Sequence, residues 1–299
     1  MKICTIIVTY NPDMDSFSEC IKSHLNSQSD SIVIVDNGSR NKSSIFQSIE
    51  TYNQIKFVSL EDNEGIAYAQ NVGIKLAIKE GFDFVLLFDQ DTILPTNYSR
   101  NIMKSYLAIH KTGEKIGVVG PNYVDTITKK YYPQIIFKGL KFHSIFPDKN
   151  SEEFTELSFI IASGSLINID VLREVGLMDE SLFIDSVDIE WCFRAAALGY
   201  KTFVANNIEV FHTIGDKRIK SLGREISIHS PVRRYYISRN HLLLLRNKTI
   251  PLGFKVRTLF NVLLGATVHV YDLKFSKKYM YFISKGIIHG IIGKKGKYK

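Results

Sequence analysis

The chain has 299 residues, 45% hydrophobic and 23% charged, which allows one large or two small packed domains and excludes a disordered chain. Its formal charge of +8 is uneven: residues 248–299 hold eleven Lys/Arg against one acid, Asp272, a net +10, and residues 1–247, with 27 Lys/Arg and 29 acids, carry −2. That split argues against a nucleic-acid groove across the body and for an anionic partner at the tail.

The opening apolar run, residues 3–9, reads as a β-strand. Tyr10-Asn11-Pro12-Asp13 ends it too early for a signal peptide or a membrane span. Phe17, Cys20, Ile21, His24 and Leu25 recur at helical spacing. Residues 31–35 form a second strand, 45–52 a short helix and 55–60 a third strand. Residues 67–78 are helical with Gly81 as the stop, and 84–88 make a fourth strand. Residues 116–147 are less regular and rich in aromatics. Residues 158–168, carrying Ser163-Gly164-Ser165, read as a strand, 188–198 as a helix, and 201–205 and 208–211 as short strands. After Pro231 the chain reads as helical to its end. Cys4, Cys20 and Cys192 form no C-x-x-C, so neither a zinc site nor a disulfide frame is indicated, and a reducing compartment is the plain reading.

Buried strands alternating with helices imply parallel βαβ units, with ligands at the carboxyl ends of the strands. Each of the first four strands ends in polar residues: Thr9-Tyr10-Asn11, Asp36-Asn37-Gly38-Ser39, Asp62-Asn63-Glu64-Gly65 and Asp89-Gln90-Asp91. One such stretch is ordinary turn chemistry, whereas four around one sheet edge favour a ligand site. Two carboxylates at i and i+2 after a buried strand can hold a hard divalent ion whose other ligands are diphosphate oxygens and water. His212, at a strand end, is a candidate to complete such a site.

Asp185, Asp188 and Glu190 lie before and at a helix start. Asp188 reads either as an N-cap or as a general base for an acceptor hydroxyl, and the roles can coexist. Glu190 is a candidate for positioning the acceptor. After Pro231, Tyr236, Arg239 and Asn240 share a helix face suited to phosphate oxygens, or form a solvated basic face. No G-x-G-x-x-G follows the first strand and no G-x-x-x-x-G-K-[ST] exists, which disfavours dinucleotide oxidoreductases and P-loop NTPases.

With these residues in view, the chain resembles glycosyltransferase family 2, of GT-A fold. Thr9-Tyr10-Asn11, Val35-Asp36-Asn37-Gly38-Ser39, Asn63-Glu64-Gly65-Ile66-Ala67 with Asn71, Asp89-Gln90-Asp91 and Asp188 carry the resemblance. Within the family it is most similar to bacterial dTDP-rhamnosyltransferases of polysaccharide and O-antigen assembly. That closer likeness rests on Asp89-Gln90-Asp91 in place of a plainer D-x-D and on Leu182-Phe183-Ile184-Asp185 with Val187-Asp188-Ile189-Glu190-Trp191; His212-Thr213-Ile214-Gly215-Asp216 and Arg234-Tyr235-Tyr236 with Arg239-Asn240 extend it.

The resemblance implies a Rossmann-like nucleotide-diphospho-sugar transferase with a mostly parallel central sheet, at residues 1–247, and a C-terminal helical segment at 248–299. It implies an inverting transfer of L-rhamnose from dTDP-L-rhamnose, with Mg2+ or Mn2+, to a hydroxyl of a lipid-linked saccharide. Thr9, Tyr10, Asn11, Asp36, Asn63, Gly65, Asn71, Asp89 and Gln90 are then donor residues, with Asp36 on the nucleotide base. Asp91 and His212 bind metal, Asp188 is the base, and Asp185, Glu190, Trp191, Tyr236 and Arg239 are acceptor or phosphate contacts. The alternatives are a UDP-sugar donor (galactofuranosyl or N-acetylglucosaminyl), a sugar nucleotidyltransferase, which would need a Gly-rich loop near Asn11, and a non-catalytic binder, which would need no base.

Two readings stay open for residues 248–299: a helical hairpin packed on the body or on a second subunit as a homodimer, and an in-plane contact with an anionic membrane surface. The second places the protein in the cytoplasm, peripheral on the inner face of the cell membrane.

Overall fold

A computed structural model describes residues 1–125, 128–146, 153–212, 217–221, 224–272 and 276–298, with the side chains of 212–228 and 263–272 outside that description. The first half runs β1 (Ile3–Thr9), α1 (Met14–Leu25), β2 (Ser31–Asp36), α2 (Lys42–Ile49), β3 (Ile55–Ser59), α3 (Ile66–Lys79), β4 (Phe84–Asp89), α4 (Tyr98–Lys111) and β5 (Ile116–Asp125). Next come the hairpin β6 (Gln134–Lys138) and β7 (Lys141–Ile145), then β8 (Phe154–Leu157), β9 (Ser165–Asn168), α5 (Ile169–Val175), α6 (Val187–Ala197) and β10 (Lys201–His212). The hairpin β11 (Lys217–Ser221) and β12 (Arg224–Ile228) precedes α7 (Pro231–Arg246), α8 (Leu252–Asp272) and α9 (Lys277–Ile292).

Among the described residues eight strands form one sheet in the order β3-β2-β1-β4-β9-β5-β10-β8. Its pairs are parallel except those of β9 with β4 and β5, and of β8 with β10. β1 and β2 are buried at every position because both sheet faces are covered, and side chains alternate between them. Ile3, Ile7, Ile32, Ile34, Phe84 and Phe88 join a core with Phe17 and Ile21 of α1, Ile45 of α2 and Ile102 of α4. Cys4, Ile6, Val8, Val33, Val35 and Leu87 join the other core, with Ala67 and Ile74 of α3 and Trp191 and Cys192 of α6. The three cysteines are free and buried, and burial pushes their thiols up to about 12, so they are inert core residues.

Three stretches differ from the sequence reading. Residues 116–125 form a fully buried central strand, although Pro121 argues against one. The neighbouring β10 accommodates that proline. Its register steps from Ala205 opposite Pro121 to Glu209 opposite Asn122, so the bulge falls where β5 has no N–H to give. This bulge also explains why 201–205 and 208–211 read as two strands when they are one. Of residues 158–168 only Ser165–Asn168 is strand. Ser165 N–H bonds to Ala162 C=O at 2.8 Å and Gly164 N–H to Leu87 C=O at 2.7 Å, turning 162–164 toward the end of β4.

The last helix packs on α7. Gly286 and Gly290, one turn apart, let the backbones approach; a Cβ at Gly286 would lie 2.5 Å from Tyr235 C=O and one at Gly290 2.6 Å from Leu242 Cβ. Tyr235 Oη and His289 Nδ1 share a 2.7 Å hydrogen bond across this contact. The start of α8 joins the body through Phe254, which packs with Phe193 of α6 and Phe137 of β6. Among the described residues, the tail therefore meets the body through α9 on α7 and through the start of α8.

Candidate active site

The carboxyl ends of β1 to β4 meet at one sheet edge, because register pairs Thr9 with Asp36, Asp36 with Ser59, and Val8 with Asp89. Thr9 and Asp36 are fully buried there. Thr9 Oγ1 donates to Asp36 at 3.1 Å, and Ser39 N–H donates to the other carboxylate oxygen at 3.1 Å. Asp36 thus folds the loop after β2 around itself, and it is the neighbouring, exposed Tyr10 and Asn11 that carry the polar rim. Asn11 N–H bonds to Ser39 Oγ at 2.7 Å, and Asn11 Oδ1 accepts from Arg40 N–H at 2.8 Å.

Asn37 and Asn63 lock the second and third loops together. Asn37 Nδ2 donates to Asn63 Oδ1 at 3.1 Å, Asn37 Oδ1 accepts from Glu64 N–H at 2.9 Å, and Gly65 N–H returns to Asn63 Oδ1 at 3.0 Å. Gly65 has φ +92, and a Cβ there would lie 2.5 Å from Phe183 C=O. The loop can only pass at a glycine, and Ile66 N–H then bonds to that carbonyl at 2.8 Å, which ties the α3 start to the segment before α6.

On the fourth loop Asp89 is half-buried and Asp91 exposed. Gln90 clamps the first loop, its Oε1 accepting from Tyr10 N–H at 2.7 Å and its Nε2 donating to Tyr10 C=O at 3.4 Å. Asp89 N–H donates to Ser163 Oγ at 3.2 Å, and Ala162 N–H to the Asp188 carboxylate at 3.3 Å. Adjacent residues of one turn therefore hold the β4 loop and Asp188 side by side.

Asp188 is the electrostatic outlier of the site. Ser186, not Asp188, occupies the N-cap position of α6, and Asp188 stands in the first turn with Ile189 N–H on its carboxylate at 2.9 Å. The side chain is half-buried, enclosed by protein on most sides while keeping some contact with solvent. Burial pushes its pKa up to about 6, against the two N–H bonds, and the charges of Asp89 and Asp185 push the same way. A carboxylate of raised basicity beside a polar loop edge is suited to taking a proton near neutral pH.

Most of the remaining expected acceptor and phosphate contacts are engaged by other parts of the protein. Glu190 is buried and held by Arg194 Nη2 at 2.9 Å and Nε at 3.0 Å. Trp191 is 1% exposed, with Nε1 on Gly176 C=O at 2.9 Å. Tyr236 stacks on Phe183 at 4.7 Å, and Arg239, fully buried, donates to backbone carbonyls including Leu182 C=O at 2.8 Å. These four brace the fold, since their polar atoms point into it. Asp185 pairs with Arg233 at 3.1 Å. Asn71, expected on the donor, has its amide engaged by Met178 N–H at 2.9 Å, Met178 C=O at 3.0 Å and Glu180 at 2.8 Å, and so braces α3 against the segment before α6. The His212 backbone pairs with Asp125, while its side chain and residues 213–216 lie outside the described residues.

The sequence reading did not single out Asn37 and Ala162, and it did not pair Arg233 with Asp185. Asn37 lies inside the quoted Asp36-Asn37-Gly38-Ser39 motif and Ala162 adjoins Ser163-Gly164-Ser165; for Arg233 no local signal exists, because its partner Asp185 is remote in sequence. Asp89 and Asp91 supply hard oxygen donors, the chemistry Mg2+ and Mn2+ prefer, and among the described residues no group of three or more His, Cys, Asp or Glu forms a closed cage. That donor set fits an ion completed by phosphate oxygens and water.

Comparison with known proteins agrees with this architecture. The chain is 35% identical over 280 residues, 93% of its length and 91% of the relative, to the dTDP-rhamnosyl transferase RfbF of Shigella flexneri. It is 26% identical to the poly-beta-1,6-N-acetyl-D-glucosamine synthase of Staphylococcus epidermidis over 54% of its own length and 37% of that protein. Among solved structures, S. aureus TarS 1-349 in complex with UDP-GlcNAc matches with TM-score 0.61 at 16% identity, covering 97% of this chain and 82% of the other. GalNAc-T7 with UDP, GalNAc and Mn2+ matches with TM-score 0.61 at 14% identity, covering 95% of this chain and 55% of that one. At such identities the solved structures speak for the fold alone, which is GT-A. The family model described as glycosyl transferase family 2 matches residues 4–176, the stretch that builds the loop edge from Thr9 to Asp91, and with the full-length relative it shows that this chain is a glycosyltransferase of family 2.

Proposed function

We propose that the chain transfers L-rhamnose from dTDP-L-rhamnose, with inversion, to a hydroxyl of a lipid-linked saccharide in cell-surface polysaccharide synthesis. The observation that carries the chemistry is the meeting of Asp188 with the Asp89 loop across residues 162 and 163. The donor reading is supported by the Shigella relative, which aligns over nearly the whole of both chains.

In this reading the loops of Thr9, Asp36, Asn63 and Gly65 seat the nucleotide, and Asp89 and Asp91, with His212 as a third candidate, would hold Mg2+ or Mn2+. The ion, when bound, neutralises charge that accumulates on the departing diphosphate. Asp188 takes the proton of the acceptor hydroxyl as its oxygen bonds to the anomeric carbon. The bond from that carbon to the diphosphate breaks, releasing dTDP, and the single displacement inverts the centre. One base suffices, unlike the paired carboxylates of hydrolases.

A second reading is a UDP-sugar donor, galactofuranosyl or N-acetylglucosaminyl; the likeness to the staphylococcal poly-beta-1,6-N-acetyl-D-glucosamine synthase supports N-acetylglucosamine as its sugar. A donor panel decides between them. With a lipid-linked acceptor, dTDP-L-rhamnose is expected to turn over at least tenfold faster than UDP-galactofuranose or UDP-N-acetylglucosamine. Turnover with a UDP-sugar and none with dTDP-L-rhamnose refutes the rhamnose assignment.

We also propose that the tail contacts an anionic membrane surface from the cytoplasmic side. Leu252, Val256, Leu259 and Phe260 of α8 and Ile288 and Ile292 of α9 are exposed, within the segment that carries +10. No described helix is long and apolar enough to cross a membrane. The full chain is expected to bind vesicles containing phosphatidylglycerol and to leave them in high salt, since exposed charge attraction is screened. L259S/F260S should weaken that binding several-fold. Equal recovery of both proteins in the soluble fraction supports instead a second copy of the chain on this face.

A further inference from the structure

Residues 183–186, which lead into α6, hold three non-glycine residues in the left-handed region: Phe183 at φ 67, Asp185 at φ 65 and Ser186 at φ 65. Such backbone persists when its neighbours over-determine it. Here the neighbours come from α7. Asn240 Nδ2 donates to Leu182 C=O at 2.9 Å, Ile184 C=O at 2.7 Å and Asp185 C=O at 2.9 Å. Arg239 aims that amide, its Nε and Nη2 donating to Asn240 Oδ1 at 3.0 and 2.9 Å, and its Nη2 also reaches Leu182 C=O.

The far end of the chain closes the same assembly. Gly296 N–H donates to Ser181 C=O at 2.7 Å, and Gly296 C=O accepts from Arg239 Nη1. Tyr298 N–H donates to Tyr236 Oη at 2.8 Å, and the Tyr236 ring lies 4.7 Å from that of Phe183 at 11°. Phe183 in turn receives Ile66 N–H from the donor side. A continuous set of contacts therefore runs from residues 296–298 through Arg239, Asn240 and Tyr236 to the strained segment, and from there both to the Gly65 loop and to Asp188.

We propose that residues 296–298 are a positioning clamp, holding segment 183–186, and with it Asp188, in register with the donor loop. The residues are positioning residues, acting through Arg239, Asn240 and Tyr236. The proposal rests on Asp188 being the base. Arg239 is fully buried, so losing the Gly296 carbonyl leaves one of its donors without that partner, and the guanidinium must shift to find another. The Tyr298 ring also packs on Tyr235 and Phe282, at 4.6 and 5.5 Å between centroids, but Gly286, Gly290 and the Tyr235–His289 bond hold α9 on α7 without it, and Tyr236→Phe leaves that ring contact in place.

The test is deletion of residues 296–299 from the otherwise full chain, with Tyr236→Phe as a milder variant that keeps the ring stack and loses the acceptor for Tyr298 N–H. For the deletion, donor affinity by calorimetry should stay within about threefold and kcat should fall about 10- to 100-fold, as displacement of reacting groups by ~1 Å costs. The acid limb of kcat/KM should move downward, because a loosened segment leaves Asp188 better solvated. Tyr236→Phe should move kcat the same way by less. Wild-type kcat and an unmoved acid limb in either folded variant overturn the proposal. An active Asp188→Asn would instead overturn the base assignment itself, whatever the deletion does.

Discussion

Asp188→Asn is expected to lose transfer while the folded protein becomes more stable. Asparagine keeps the shape and, like the protonated acid, keeps one carbonyl oxygen to accept from one of Ala162 and Ile189 N–H, which bond to different oxygens of the carboxylate, but it cannot take a proton. Removing a positioned general base costs about 10²- to 10⁴-fold in kcat. Donor affinity should be retained, because the lost interaction belongs to the transition state. The stability effect has the opposite sign to the usual carboxylate case. With a folded-state pKa of about 6, above the ordinary value of 3.8, the fold disfavours the ionised form. The stability contribution is fully present below pH ~4 and is lost as pH rises to about 6. Above that the wild type bears a cost of no more than about 3 kcal/mol, at ~1.4 kcal/mol per unit, and less where solvent reaches the side chain. The Asp188→Asn variant escapes this cost, so its Tm should exceed that of wild type at pH 7.5 and converge with it near pH ~4. In the wild type, kcat/KM should rise with pH through about 6. If Asp185→Asn is dead and Asp188→Asn active, the base is Asp185 and its Arg233 pair must open during turnover.

Asp91→Ala should show the complementary pattern. Asp91 is exposed on the turn after β4, so its loss should leave Tm unchanged within a degree or two. If it holds an ion against the diphosphate, both ground-state binding and leaving-group stabilisation go with it. Calorimetry should then find donor affinity at least tenfold weaker, and turnover should fall by about 10²-fold or more. Excess chelator on the wild type should reproduce the loss, and restored Mg2+ or Mn2+ should reverse it in the wild type alone. Full turnover by Asp91→Ala, or by wild type in chelator, removes the metal from the reading. The two variants separate the halves of the site: one loses kcat with the donor still bound, the other loses both.

Much of the loop edge was legible in the sequence because it is built locally. Strands covered on both faces are continuous apolar runs, and each is followed at once by the residues it presents, as Asp36 follows Val35 and Asp89 follows Phe88. Asp188 was legible for the same reason, standing in the first turn of a helix with a clear apolar period. Failures came where a local pattern supports two environments. The face of Tyr236, Arg239 and Asn240 has one spacing whether it meets phosphate or protein carbonyls, and a buried arginine cannot be told from an exposed one until its partners are placed.

By itself, then, the sequence determined the βαβ order, the loops that gather at one sheet edge, and the carboxylates on them, since each depends on neighbours a few residues away. The tertiary structure alone decided that Pro121 sits in a central strand, because the compensating bulge is in β10. It alone decided that Asn71, Glu190 and Arg239 face inward and that Asp188 is more basic than an ordinary aspartate. It also brought Gly296 to Ser181 and Tyr298 to Tyr236. Burial, charge proximity and strain are set by which distant segments meet, and no local spacing records that meeting.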